Sequence, residues 1–417
     1  MKNYNPVIII GAGIAGLCTS FYLTKNNISH IIIERGEIAN TWITERWDNF
    51  HLVNPNWAIK IPDFGFGSKY FPNKNPDGYL NRIETINYIQ DFANYIGSEV
   101  YTNENVEHLS KQNNEYIVKT SKRTLRSNIV IIASGAFGES YIPSINSELS
   151  NEVLQLHSTE YKNHHILPEG GVLVVGSGQS GAQIAEELLE SGRDTWLAVS
   201  KCGRRPRRYK GKDSSWWNYE TGSFNKTVDN TPFEQRWTCS PHTSGSRGGH
   251  DINLVDLEEK GLKLCGTVKL CNSDKILFNN NLYENLKFSD KHALNWAKKV
   301  DDYIKVNKLE MPDEKITEDK RITKYKSNNY SHIDAPGTIN SIIWSTGFRY
   351  NFDWVKFDIT DKLGHPVQKR GITNNKGLYF MGLQWMHSSK SAQFIGVADD
   401  AEYVVNNIIS NYYIKEN

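Results

Sequence analysis

Glycines spaced two and three residues apart, followed one strand later by a carboxylate, are the residue types that hold a dinucleotide. The stretch from Val7 to Arg35, VIIIGAGIAGLCTSFYLTKNNISHIIIER, puts Gly11, Gly13 and Gly16 in that spacing and Glu34 at the end of the second apolar run. Gly11 permits the tight turn, Gly13 lets the backbone approach a pyrophosphate, and Gly16 lets the helix pack on the strand. The pyrophosphate then rests on the helix N-terminus, where unbonded N–H groups and the helix dipole favour negative charge. A carboxylate at Glu34 accepts from both ribose hydroxyls and repels a 2′-phosphate. This unit suits FAD or NAD, not NADP.

The pattern returns from Val172 to Arg208 as VLVVGSGQSGAQIAEELLESGRDTWLAVSKCGRRPRR, with Gly176, Gly178 and Gly181 at the turn and Gln179 and Ser180 opening the helix. Ile184, Ala185, Leu188 and Leu189 form the apolar face of that helix, and Trp196 to Val199 is the next strand. No acid follows it. Ser200, Lys201, Arg204 and Arg205 stand there instead, and a hydroxyl beside cations is the chemistry that binds a 2′-phosphate through charge-assisted bonds. This unit suits NADPH. A solvated charge run is the competing reading of GRRPRR, but its place one strand after a dinucleotide turn favours the phosphate. Arg207 and Arg208, further along, are read as surface residues. Two turns of opposite preference imply two dinucleotides in one chain, a bound flavin and its hydride donor.

The elements that must position these turns divide the 417 residues into two domains of ordinary size. After Val106 come strands over Tyr116 to Lys119 and Ile129 to Ile132, then Ala133, Ser134 and Gly135, where the chain crosses to a second domain. A second crossing follows Ile339 to Trp344, at Ser345, Thr346 and Gly347. A strand over Gly377 to Met381 and a helix from about Ser391 to Ile409 then close the first domain. The expected fold is α/β, with two Rossmann-like dinucleotide-binding domains: an NADP domain over 170–340 inserted into a discontinuous FAD domain over 1–140 and 345–417. Residues 208–249 resist a helix or strand reading and carry Tyr209, Trp216, Trp217, Tyr219, Phe224, Phe233 and Trp237. They fit equally a lid over a site and an aromatic satellite core.

The formal net charge is +1, so no global field favours nucleic acid or an anionic membrane. Cys18, Cys202, Cys239, Cys265 and Cys271 form an odd set with no CxxC pair, which suits a reducing compartment and argues against a disulfide scaffold or a redox dithiol. His164, His165, His242 and His250 lack metal-ligand spacing, and no metal is expected. The apolar stretch from Val7 to Leu23 is explained by its glycine turn rather than as a signal peptide. No segment reaches the roughly 18 consecutive apolar residues of a membrane span. The expectation is a soluble, cytoplasmic protein with neither nucleic-acid nor membrane partners.

Three further features accompany the two turns. His157, Tyr161 and Lys162 in LHSTEYK lie just before the second turn, Thr41 and Trp42 follow Glu34 with Asn40 ahead of them, and FMGLQ ends in Gly382, Leu383 and Gln384. Together with the turns they resemble the class B flavin-containing monooxygenases, which include plant indole-pyruvate monooxygenases, Baeyer–Villiger enzymes and related bacterial flavoproteins. The likeness follows the family's motif order along nearly the whole chain. It departs at Asn151 and Val153, where the family's pre-turn signature begins with an aromatic and a glycine.

The resemblance implies FAD and NADPH as cofactors. It adds Arg35, Trp42, Val106, Ala133 and Gln384 to the cofactor-binding candidates. Within HLVNPNWAIKIPDFGF, Asn54 matches the family's asparagine near the reacting face of the flavin and is the catalytic candidate, with Asn56 its rival. The implied reaction is reduction of FAD by NADPH, addition of O2 to give a flavin 4a-hydroperoxide, and transfer of one oxygen atom to a small organic substrate. Amines, sulfides, indole-type acids and ketones all fit. The alternatives are an NADPH oxidase or flavin-dependent reductase without oxygen transfer, and a non-enzymatic flavoprotein that senses NADPH.

Overall fold

Val7–Ile10 is apolar at every position and buried on both faces, as a strand in the middle of a parallel sheet must be. A computed structural model describes residues 7–327 and 329–413, and in it this strand is the centre of a five-stranded parallel sheet. The order is Leu378–Phe380, Ile129–Ile132, Val7–Ile10, His30–Ile33, Glu99–Tyr101. The chain winds outward from Val7–Ile10 in one direction first and in the other later. The carboxyl ends of Val7–Ile10 and Ile129–Ile132 therefore flank a topological switch point, where open α/β sheets bind ligands. The helices Ile14–Lys25 and Val397–Ile408 pack against each other beside the sheet.

The second sheet repeats the plan: Lys263–Cys265, Thr195–Ala198, Gly171–Val175, Ile339–Trp344 and Leu154–His157, all parallel. Alternate residues of Gly171–Val175 feed two cores, Val172 and Val174 on one face and Leu173 and Val175 on the other. Leu154–His157 precedes residue 170 and Ile339–Trp344 runs past 340, so the second sheet takes in slightly more chain than the sequence pattern suggests. The two crossings lie side by side, Glu139–Ser140 pairing antiparallel with Phe348–Arg349.

Two expected elements differ. The last helix begins at Val397 rather than near Ser391, because the Ser391 hydroxyl accepts from the His387 and Ser388 N–H groups and holds that stretch as a turn. Residues 208–249, expected to be irregular, form a two-residue ladder of Arg208–Tyr209 with Lys212–Asp213 and the helices Ser214–Glu220 and Phe233–Arg236. Asp213 caps the first of these helices by accepting from Ser215 N–H. Tyr209 and Trp217 join Trp296 and Val300, from the long helix Leu282–Asn307, in a separate core. Tyr219, Phe233 and Trp237 stay exposed, so the segment is satellite core at its start and surface cover at its end. Among the described residues no helix is long and apolar enough to cross a membrane.

Candidate functional site

Gly11 sits at φ +113°, and a Cβ there would come 2.4 Å from the Ala133 carbonyl oxygen at the end of the neighbouring strand. A Cβ on Gly16 would lie 2.0 Å from the Gly11 oxygen, whereas one on Gly13 would meet nothing within 4 Å. Gly13 is also the N-cap of Ile14–Lys25, with no side chain capping it, so open space lies directly over unbonded helix N–H groups. Beside it the Glu34 carboxylate is 7% exposed, accepting from Ala12 N–H at 2.7 Å and Gly36 N–H at 3.1 Å. A buried carboxylate next to an uncovered helix start is the donor set and the space that the ribose and pyrophosphate of FAD require, and the residues present fit that group.

The other first-turn candidates divide. Ala133 N–H bonds Ile10 O at 2.8 Å, and Val106, itself buried, starts a strand two residues after Glu104, whose N–H bonds Glu34 O at 2.9 Å. Met381 N–H bonds Ile132 O at 2.8 Å, and Gly382 packs so close to Ala15 that a Cβ would approach its methyl to 2.6 Å. This carries Gln384 toward the start of the first helix. Trp42, on the short helix Asn40–Thr44, meets Phe50 edge to face at 5.6 Å. Arg35 instead points outward in an ion pair with Glu45 at 2.8 Å.

The second turn has the same backbone solution. Gly176 is at φ +97°, and a Cβ would reach 2.6 Å from the Ser345 oxygen, while one on Gly181 would lie 1.9 Å from the Gly176 oxygen. Ser200 N–H donates to the Ser177 hydroxyl at 2.9 Å, which seats the end of the strand on the turn. Lys201 is exposed, and Arg204 pairs with Asp290, whose other oxygen accepts from Asp319 N–H at 3.1 Å. Gly178 is covered rather than open: a Cβ there would come 3.1 Å from Cys239 Sγ. Gln179 Nε2 and Gln183 Nε2 both donate to Thr243 O, Ser180 stands half-buried in the first helical turn, and His242 Nε2 donates to Ser177 O. Burial pushes the His242 imidazole down to about 4, and the nearby His292 and Arg204 add to that.

One expectation is corrected here. Arg207 is not a surface residue. It is 2% exposed, and its guanidinium donates to Asp213 at 2.6 Å and to Val53 O at 2.8 Å and lies 4.9 Å from the Tyr79 ring centre. The ladder that returns Asp213 beside it supplies the countercharge that burial requires. Arg208 is exposed, as expected. The cysteines also contain a pair: Cys202 Sγ and Cys239 Sγ stand 3.0 Å apart, brought together across 37 residues, a separation that CxxC spacing does not register.

Asn54 and Asn56 separate cleanly. Asn56 is fully buried and spends its Nδ2 on Asn75 O at 2.9 Å, a structural bond. Asn54 is half-buried where three parts of the chain meet: its Nδ2 donates to Gln393 Oε1 at 3.0 Å, Arg207 bonds the preceding carbonyl, and Gly245 abuts Leu52 O. The His157, Tyr161 and Lys162 group ties the domains together. His157 Nε2 donates to Gly347 O at 3.1 Å, Tyr161 OH to Glu187 at 2.9 Å, and Lys162 Nζ to the carbonyls of Thr44, Arg46 and Thr159. Sequence reasoning missed Gln393, which carries no motif, and Arg46. Arg46 is buried enough that its pKa is lowered, and its guanidinium lies 5.5 to 5.8 Å from the ring centres of Trp42, Phe50 and Phe137. Among the described residues there is no group of three metal-binding side chains.

Residues 8–219 match the pyridine nucleotide-disulphide oxidoreductase family. An uncharacterized oxidoreductase, CzcO-like, of Geobacillus kaustophilus is 30% identical over 414 residues, 99% of this chain and 100% of that protein. The probable indole-3-pyruvate monooxygenase YUCCA1 of Arabidopsis thaliana is 30% identical over 198 residues, 46% of each chain. A flavin-containing monooxygenase from Stenotrophomonas maltophilia has a similar structure, with a TM-score of 0.65 at 18% identity over 98% of this chain and 99% of that one. On its two glycine turns, its inserted second domain and these relationships, the chain belongs to the pyridine nucleotide-disulphide oxidoreductase family, and its fold is similar to that of the flavin-containing monooxygenase from Stenotrophomonas maltophilia.

Proposed function

We propose that this protein is an FAD-dependent, NADPH-consuming monooxygenase that transfers one atom of O2 to a small organic substrate. The observation that carries this reading is the asymmetry of the two turns. The first has a buried carboxylate, Glu34, beside the open Gly13; the second has no acid but Ser200, Lys201 and Arg204. FAD is assigned to the domain of residues 1–140 and 345–417, and NADPH to 170–340 with the strand Leu154–His157 added. The odd set of cysteines without a CxxC pair supports a cytoplasmic location.

When bound, FAD supplies hydride acceptance and oxygen activation. The chain's own work is positioning. Glu34 accepts from the ribose, Ala12 N–H holds that carboxylate in place, and the start of Ile14–Lys25 faces the pyrophosphate. On the second turn Lys201 and Arg204 face a 2′-phosphate. Arg204 has already spent one N–H on Asp290, but a guanidinium carries five. Asn54, held by Gln393, offers an amide where the two domains meet. His157 and Lys162 keep the domains in register across the crossings, which limits water between them.

The test is NADPH turnover with isotope-labelled O2 and a panel of sulfides, amines, indole-type acids and ketones. The expected result is one labelled oxygen atom in product per NADPH consumed. Stoichiometric hydrogen peroxide with no labelled product from any substrate overturns the reading in favour of an oxidase. Glu34→Ala is expected to release flavin on gel filtration, and Asn54→Ala to retain flavin but divert oxygen to peroxide.

A further inference from the structure

The segment that covers the second turn ends in a thiol. Cys239 is exposed, and its sulfur lies over Gly178, the N-cap of Gln179–Glu190, where it accepts from the Gln179 backbone N–H. That N–H is one a bound pyrophosphate would use. Cys202 is buried, donates to Cys239 Sγ at 3.0 Å and lies 3.2 Å from Ser240 O. The two sulfurs are thus about 1 Å farther apart than in a disulfide. The bond from Cys202 holds the Cys239 thiol below its ordinary range, while that bond and burial raise Cys202. The exposed sulfur is therefore the nucleophile and the buried one the resolving group. Cys18, Cys265 and Cys271 are buried and are not paired with this site.

We propose that Cys202 and Cys239 are a redox site, oxidised to a disulfide by a hydroperoxide, and that the bond clamps residues 239–244 over the second dinucleotide turn. The Cys239 thiolate attacks one peroxide oxygen; the O–O bond breaks, leaving a sulfenic acid on Cys239, and the other oxygen departs as water. The Cys202 sulfur then attacks Cys239 Sγ, the S–O bond breaks, and a second water leaves with the Cys202 proton. Two thiols and one hydrogen peroxide give one disulfide and two waters, and a dithiol reductant reverses the change. In the reduced state no covalent bond holds the segment: its residues 242–244 are buried against the turn, with His242 donating to Ser177 O and Gly203 O and with Gln179 and Gln183 donating to Thr243 O. A dinucleotide displaces these. In the oxidised state the cover is covalent, and the pyrophosphate loses access to the helix start. The effect on nucleotide binding rests on reading this turn as the NADPH site; the disulfide does not.

The experiment treats the full-length, flavin-loaded protein with a small excess of hydrogen peroxide and caps remaining thiols. Mass spectrometry then searches for a Cys202–Cys239 peptide lighter by two hydrogens. Protease cleavage within residues 226–244 and NADP⁺ binding are measured on the same samples. The expected results are the cross-linked peptide, slowed cleavage, and NADP⁺ binding weakened at least about tenfold, all reversed by dithiothreitol and all absent in Cys239→Ser. Cys239 is exposed, so that variant folds; Cys202→Ser provides a second, with Cys239 oxidised but never cross-linked. Cys239 converted to sulfinic acid in the wild type without a cross-link overturns the redox site. A cross-link that leaves both cleavage and NADP⁺ binding unchanged overturns the clamp. If the reduced protein binds no NADP⁺, the nucleotide reading of the turn falls, while the cross-link and slowed cleavage still support the disulfide and its clamp.

Discussion

The two glycine turns of this protein share one backbone and differ in what lies over it. Gly11 beside Ala133 O and Gly176 beside Ser345 O are the same close approach, and a Cβ added to Gly16 or Gly181 would lie 2.0 or 1.9 Å from the preceding turn's carbonyl oxygen. Past that point they part. Open space stands over Gly13, and a buried carboxylate accepts from the first turn's own N–H; a sulfur stands over Gly178, and Ser200, in the carboxylate's place, donates its N–H to the Ser177 hydroxyl of the turn. On the proposed reading the shared backbone serves dinucleotide binding as such, while the side chains beyond the next strand set which dinucleotide binds and the loop over Gly178 sets when.

The largest expected effect tests the shared part. Gly16→Ala and Gly181→Ala each force a Cβ into a backbone oxygen, and each should destabilise the protein by more than about 3 kcal/mol, read as a lowered denaturation midpoint. If one of the two is tolerated, the turns are not equivalent.

Acid should distinguish them next. His242, in the cover of the second turn, has its folded pKa depressed to about 4 from an ordinary 6.5. As pH falls through 6.5 the unfolded chain takes up the proton first, so stability drains away from there and the loss is complete near pH 4. Its size is on the order of 3 kcal/mol. His30, His157 and His292 are lowered in the same sense by burial, so urea midpoints between pH 7 and 4.5 must be compared with those of His242→Gln, whose profile should be flatter.

Cofactor choice is a smaller effect. Lys201 is exposed, so Lys201→Ala should weaken NADPH about tenfold and leave NADH within about twofold, measured as the ratio of the two dissociation constants. Arg204 is a poorer probe, because removing it strands the buried Asp290 carboxylate. Equal loss for both cofactors would dissolve the contrast between the turns.

The smallest effect on stability is the sharpest on function. Gly13→Ala meets nothing within 4 Å at φ −79°, so folding should shift by less than about 1 kcal/mol while flavin occupancy falls, read by the ratio of visible to ultraviolet absorbance. Full occupancy in that variant would remove the pyrophosphate from Gly13.

Both turns, their flanking strands and the positions of the two crossings were readable along the chain because they are local; that the crossings pair side by side was not. A parallel strand buried on two faces has to be an apolar run, as in Val7–Ile10 and Ile339–Trp344, and a backbone that must touch another backbone has to be glycine. The aromatic segment was half readable. Its composition marked it out, but Tyr209 and Trp217 found their partners Trp296 and Val300 on a helix some eighty residues further on.

What the sequence by itself determined is the repeat of the dinucleotide turn and the exchange of Glu34 for Ser200 and Lys201, since both follow from residue types at fixed spacing. Only the tertiary structure decided that Arg207 lies buried against Asp213, that Asn54 rather than Asn56 stands where the parts of the chain meet, and that Cys202 and Cys239 touch. The physical reason is the same in each case. Burial and contact between residues far apart in the chain depend on where a loop returns, and no period or spacing along the chain records that return.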